Sequence, residues 1–149
     1  MNTEDTNFIR QMLYEKNSEQ ILNELYAIDD PEILYVFMYN YNWDNGFEIP
    51  KAILQKNNCA LSTALSIFYS ADGLRYLNGK DEKDDNLQKW PVFIRDLYNR
   101  IISGEFTRSN IKFIPPLNKV QIFKLKKIIE EKDYVFLEEI GENDLNLEF

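Results

Sequence analysis

Trp90-Pro91-Val92-Phe93-Ile94-Arg95-Asp96-Leu97-Tyr98-Asn99-Arg100-Ile101-Ile102 carries the cleanest periodicity in the chain. Trp90, Phe93, Ile94, Leu97, Tyr98, Ile101 and Ile102 recur at the spacing that lines up one face of an α-helix. Pro91 suits the first turn, where a missing backbone N–H costs nothing, and Gly104 ends the run. Fully burying such side chains contributes about 1.5 to 3 kcal/mol each, so this face belongs to a core and not to a cofactor pocket.

The same period recurs outward in both directions. Phe8, Ile9, Met12 and Leu13 form one stripe, and Ile21, Leu22, Leu25 and Tyr26 form another behind Ser18 as the expected N-cap. Ile33, Leu34, Phe37, Met38 and Tyr41 follow, with Asp30 as N-cap and Pro31 at the first helical position. A shorter helix is expected around Lys51 to Lys56 and a long one from Ser62 to Leu77, on Leu61, Ala64, Leu65 and Phe68, with a kink or C-cap at Gly73. Helix starts near residues 18 and 31 are echoed near 48 and 62, which reads as two helical hairpins offset by one unit. Toward the C-terminus, Ile111-Lys112-Phe113-Ile114 before two prolines is extended or a short edge strand. Asn118 with Gln121 three residues on resembles a capping box, and Val120, Phe123, Ile128 and Ile129 give that helix a partial apolar face. Tyr134 to Leu137 fits helix or strand equally. The expected fold is all-α: a single compact helical domain over residues 1–149, built of antiparallel helical hairpins, with at most one or two short strands.

Composition excludes more than it assigns. The chain has 149 residues, a formal net charge of −8 and no histidine. Without histidine there is no Ser-His or Cys-His pair, no common zinc site and no ordinary neutral-pH base. Cys59, the only cysteine, reads as a small core residue before a buried helix. The five glycines are too scattered for a phosphate loop. Asn78 to Asn86 reads as an exposed acidic loop whose spacing fails as a calcium loop. The expectation is therefore no catalytic residue, no metal and no cofactor. The acidic balance argues against nucleic-acid binding, which needs a basic surface. The longest uncharged run, Asn57 to Ala71, is too short and polar to span a bilayer, and the acidic start Met1-Asn2-Thr3-Glu4-Asp5 is unlike a secretory signal, so cytoplasmic residence is expected.

A second stretch carries a signature: Tyr41-Asn42-Trp43-Asp44-Asn45-Gly46-Phe47-Glu48-Ile49-Pro50, then Cys59-Ala60-Leu61-Ser62-Thr63-Ala64-Leu65, then Phe68-Tyr69-Ser70-Ala71-Asp72-Gly73. This order resembles the bacterial family known as domain of unknown function 4274, over residues 31–77. The resemblance implies no chemistry. Physically, Asp44-Asn45-Gly46 is a turn, Pro50 fits the first turn of the next helix, and Trp43 and Phe47 flank the corner and pin it to the core. Asp44 and Glu48 project from it as candidate contact residues.

The function expected from these features is that of a non-enzymatic acidic binding protein. It is similar in character to immunity proteins that neutralise a cognate bacterial toxin by protein–protein binding, and a basic toxin domain is the expected partner. The candidate binding residues are Trp43, Asp44, Glu48 and Tyr69, together with Glu138, Glu139, Glu142 and Asp144 of the acidic tail over residues 138–149. That tail has five acids and no lysine or arginine, and reads as a disordered end or an acidic contact surface. A structural or regulatory interaction module is the alternative. A carboxylate enzyme, lesser still, would need Asp44, Glu48 and Trp43 or Tyr69 to converge on one pocket.

Overall fold

Asn2, Asn17 and Asn118 open three helices in the same way. Each asparagine accepts from the backbone N–H three residues on, and the side chain there returns a bond to the asparagine N–H. In the computed structural model, which describes residues 1–79 and 89–148, these caps begin α1 (Thr3–Tyr14), α2 (Ser18–Leu25) and the helix Lys119–Lys126. Ser18, the expected N-cap, is thus the first helical residue, because Asn17 with Gln20 completes a two-way cap. Asp30 does cap α3 (Pro31–Tyr39), accepting from Glu32 N at 2.9 Å.

A 3-10 turn (Trp43–Asn45) leads into α4 (Glu48–Leu54), α5 (Leu61–Ser70), α6 (Gly73–Gly79) and α7 (Lys89–Ile102). Lys119–Lys126 is then α8, and a longer 3-10 helix covers Glu131–Leu137, which settles Tyr134 to Leu137 as helical. The long helix expected from Ser62 to Leu77 is broken before Gly73. Asp72 takes the left-handed φ of 65°, and Gly73 is needed for closeness, since a Cβ there would overlap the Phe68 ring. The expected loop at Asn78 to Asn86 lies, from residue 80 on, outside the described residues.

The fold is all-α. Among the described residues the only β features are isolated bridges joining Ala60 to Thr107, Ile111 to Asn143 and Phe113 to Ile140. At the centre, α3 is buried from Ile33 to Met38 and α5 from Leu61 to Phe68, and the two pack on each other. Such all-round apolarity is what a helix enclosed by others requires. α1 covers α3, α7 covers α5, and α2 packs on α4. Of the helices that the expected hairpins comprise, α2 lies against α4 and α3 against α5. On α7, Phe93, Ile94, Leu97, Tyr98 and Ile101 are buried as their spacing predicts.

Two apolar faces differ from expectation. Tyr26 is 85% exposed, so the α2 stripe is narrower than its spacing implied. On α8 and just beyond it, Val120, Phe123 and Ile128 are exposed, and of the expected face Ile129 alone is buried, joined by Leu125.

Candidate functional site

The acidic tail is an ordered ribbon. Phe113 N donates to Ile140 O at 2.8 Å and Ile140 N to Phe113 O at 2.9 Å, while Lys112 N donates to Asn143 O at 2.9 Å. Between these anchors Gly141 takes a φ of 67°, and a Cβ there would run into the carbonyls of Asn110 and Ile111. Ile140 is buried, and Leu145 and Leu147 pack against the core. Asn40 Nδ2 donates to Leu147 O at 3.0 Å, and Asn143 Nδ2 to Glu32 Oε1 at 3.1 Å, which ties α3 to the ribbon at both ends. Backbone and apolar side chains hold the strip down. Glu138, Glu139, Glu142, Asp144 and Glu148 are all left exposed. Glu138 pairs with Arg108 at 2.9 Å, and with both partners exposed this bond contributes little.

Three core hydroxyls reach the same C-terminal part of the chain. Tyr35 OH donates to Lys112 O at 3.2 Å, Ser62 Oγ to Ile111 O at 2.6 Å and Tyr69 OH to Phe136 O at 2.6 Å. Beside the ribbon these contacts frame a groove of about 600 Å³, whose walls include Tyr35, Tyr39, Tyr69, Lys112, Asp144 and Leu147. Burial, reinforced by Tyr39 and then Asp144, pushes the Tyr35 phenol up to about 12. Burial also raises Tyr69. Both tyrosines therefore stay neutral at ordinary pH.

The corner at Trp43 is separate from this groove. Gly46 has a φ of 88°, Gly46 N donates to Trp43 O at 3.1 Å, and Tyr41 OH closes the turn on Gly46 O at 2.7 Å. Asn42, not Asp44, supplies the capping side chain, accepting from Asp44 N at 3.0 Å. Trp43 is half-buried, in edge contact with Tyr41 (5.3 Å between ring centroids) and with Phe93 (6.3 Å). Asp44 and Glu48 are exposed, and neither lines the groove that contains Tyr69. The convergence that a carboxylate enzyme would need is therefore not assembled around Tyr69. Cys59 is buried, and desolvation, only partly offset by Arg100, raises its thiol to about 12.

Residues 29–102 match the model of a family described as Domain of unknown function (DUF4274). The chain belongs to this family. The DUF4274 match is wider than the expected 31–77 and takes in the whole of α7. No curated protein and no solved structure matches the chain. The groove straddles the edge of the DUF4274 segment. Tyr35, Tyr39 and Tyr69 lie inside it, and Lys112, Asp144 and Leu147 lie beyond.

Of the candidate residues, Tyr69 and Asp144 are brought together in the groove, while Glu138, Glu139 and Glu142 lie elsewhere on the ribbon and do not line it. Sequence reasoning missed Tyr35, Tyr39 and Lys112. Tyr35 and Tyr39 stand four apart on an otherwise apolar helix, and that spacing of polar-tipped rings was the available signal. It also missed Asp133, which is fully buried and accepts from Tyr98 OH and, at 3.1 Å, from Glu130 N. Asp133 fastens the second 3-10 helix to α7. Among the described residues no group of three or more carboxylate, thiol or imidazole side chains is placed to hold a metal ion. Nor is any described helix long and apolar enough to cross a membrane.

Proposed function

We propose that this DUF4274 protein is a non-enzymatic binding protein of the bacterial cytoplasm that neutralises a basic protein, a cognate toxin domain, by occupying its surface. The observation that carries this reading is the ordered ribbon. Carboxylates on a fixed backbone present a defined pattern of charge at little entropic cost on binding, where a disordered tail would have to be ordered first. The net charge of −8 extends the same field over the molecule and favours fast encounter with a positive face. A cleft built for covalent chemistry is not needed for this role.

The exposed face of α8 supports the alternative of a regulatory interaction module. There Phe123, 63% exposed, lies under Lys127, with Val120 and Ile128 also outward and Lys119, Lys124 and Lys126 alongside. A second surface of opposite charge suits a protein with two partners.

The test is capture of the partner from the native host with wild-type protein and with a ribbon variant carrying Glu139→Gln, Glu142→Gln and Glu148→Gln. The captured protein is then expressed alone and together with each form. A basic captured protein that arrests growth alone, and is silenced by wild-type protein in a stable complex, is the expected result. A captured protein that is acidic, or harmless when expressed alone, overturns the reading.

A further inference from the structure

We propose that the groove between α3, α5 and the ribbon is a receptor for one arginine side chain of the basic partner, seated against the Tyr39 ring with its charge on Asp144. The argument rests on the directions of the hydrogen bonds. A phenol has a single donor, and Tyr35 and Tyr69 have committed theirs to the carbonyls of Lys112 and Phe136. Their oxygens can only accept from anything else. With the Asp144 carboxylate beside them, and with the Ser66 and Ser70 hydroxyls able to accept as well as donate, the groove offers more acceptors than donors and suits a ligand rich in donors. A guanidinium offers five N–H donors on a planar cation that also stacks on aromatic faces. Tyr39, 54% exposed at the groove, supplies such a face. The apolar walls at Phe113, Ile114 and Leu147 suit the methylene stem. Continuity with the ribbon matters too, because Asp144 and Leu147 belong to both.

Lys112 is the opposing feature, the one cation lining the groove among the described residues. It gives the proposal a sign. Removing Lys112 should strengthen binding of a cation and removing Asp144 should weaken it, whereas an anionic ligand demands the reverse.

The inference rests on the binding reading above, and the experiment separates the two. A capped Gly-Ser-Arg-Ser-Gly peptide is titrated into the full-length protein at low salt and followed by backbone amide chemical shifts, beside a citrulline peptide of the same shape and a glutamate peptide. Shifts centred on Tyr35, Tyr39, Lys112 and Ile114 are expected. The citrulline peptide and the Asp144→Asn variant should each bind about threefold to fivefold more weakly, the scale of one exposed ion pair, and Lys112→Met should bind more tightly by a similar factor. Tyr39→Ala should weaken binding with the fold unchanged, since that side chain is largely exposed. Shifts confined to residues 138–143 overturn the groove and leave the ribbon reading standing. Shifts at neither place overturn both. Equal binding of the citrulline peptide, preference for the glutamate peptide or reversed signs at Asp144 and Lys112 overturn the arginine assignment.

Discussion

Phe113 and Ile140 exchange both of their backbone hydrogen bonds, at 2.8 and 2.9 Å, and this pair turns an acidic chain end into a fixed surface. Carboxylates along a free tail would spread their field over many conformations. Here Ile140 is buried and the residues after it are led across α3 to Leu147. The strip repels itself electrostatically, and the apolar anchors together with the paired backbone outweigh that repulsion.

Gly141→Ala should loosen the ribbon. A positive φ disfavours alanine, and the added Cβ meets two backbone carbonyls that cannot easily retreat. The expected loss is more than about 1 kcal/mol of stability in denaturant unfolding. Faster hydrogen exchange at Glu142 and Asn143 should accompany it.

Neutralising Glu139, Glu142 and Glu148 together should leave the helical circular-dichroism spectrum and the thermal midpoint nearly unchanged, since all three are exposed. Association with the proposed basic partner should slow at low salt. The difference should fade as the Debye length shrinks from about 10 Å at 0.1 M to about 3 Å at 1 M. Stopped-flow kinetics across a salt series would measure this, and unchanged rates throughout would remove the ribbon from recognition.

Trp43→Ala should cost about 3 kcal/mol, the lower end of the range for core aromatics, because the ring is half-buried while touching Tyr41, Phe47 and Phe93. Urea unfolding gives the value directly.

Asp133→Ala should cost about 2 kcal/mol or more, because it removes a fully buried carboxylate that accepts from the Tyr98 hydroxyl and the Glu130 N–H. Tyr98→Phe removes the same contact from the other side and should cost less. Thermal unfolding of the two single variants and the double variant would show strong coupling if the contact is direct.

Alkaline pH should unfold the protein in a defined window. Burial holds Tyr35 and Tyr41 up at about 12 against the ordinary 10.0. A folded-state value above the unfolded one means that the native state keeps its proton longer. The stabilisation is therefore complete below pH 10 and is lost as pH climbs through about 12. Phenolate absorbance and helical signal followed together should show late, cooperative tyrosine ionisation.

The helices were legible because each combines an apolar period with a local start signal. Asp30 with Pro31 and Asn118 with Gln121 both cap where their chemistry says. The break near Gly73 was legible as a kink or C-cap, but the reason for a glycine there was not. It depends on the approach of α6 to the Phe68 ring, a tertiary distance that no spacing encodes. Nor was the outward face of α8, since periodicity locates a stripe without saying which of its members finds a neighbour. Asp144 and Tyr69 could be picked out singly, one by charge and one by a motif. Their meeting in one groove depends on hydrogen bonds spanning 67 and 77 positions, from Tyr69 to Phe136 and from Tyr35 to Lys112.

Those long-range anchors share a property with consequences for how such a protein diversifies. Tyr35, Ser62 and Tyr69 all donate to main-chain carbonyls, which every amino acid provides. Mutations at residues 111, 112 and 136 can therefore alter side chains without deleting the acceptors that these donors require. The inner helices act as a docking template indifferent to the spelling of what docks on them. The exposed side chains of the outer strip can therefore change in charge and shape while the scaffold beneath them stays put.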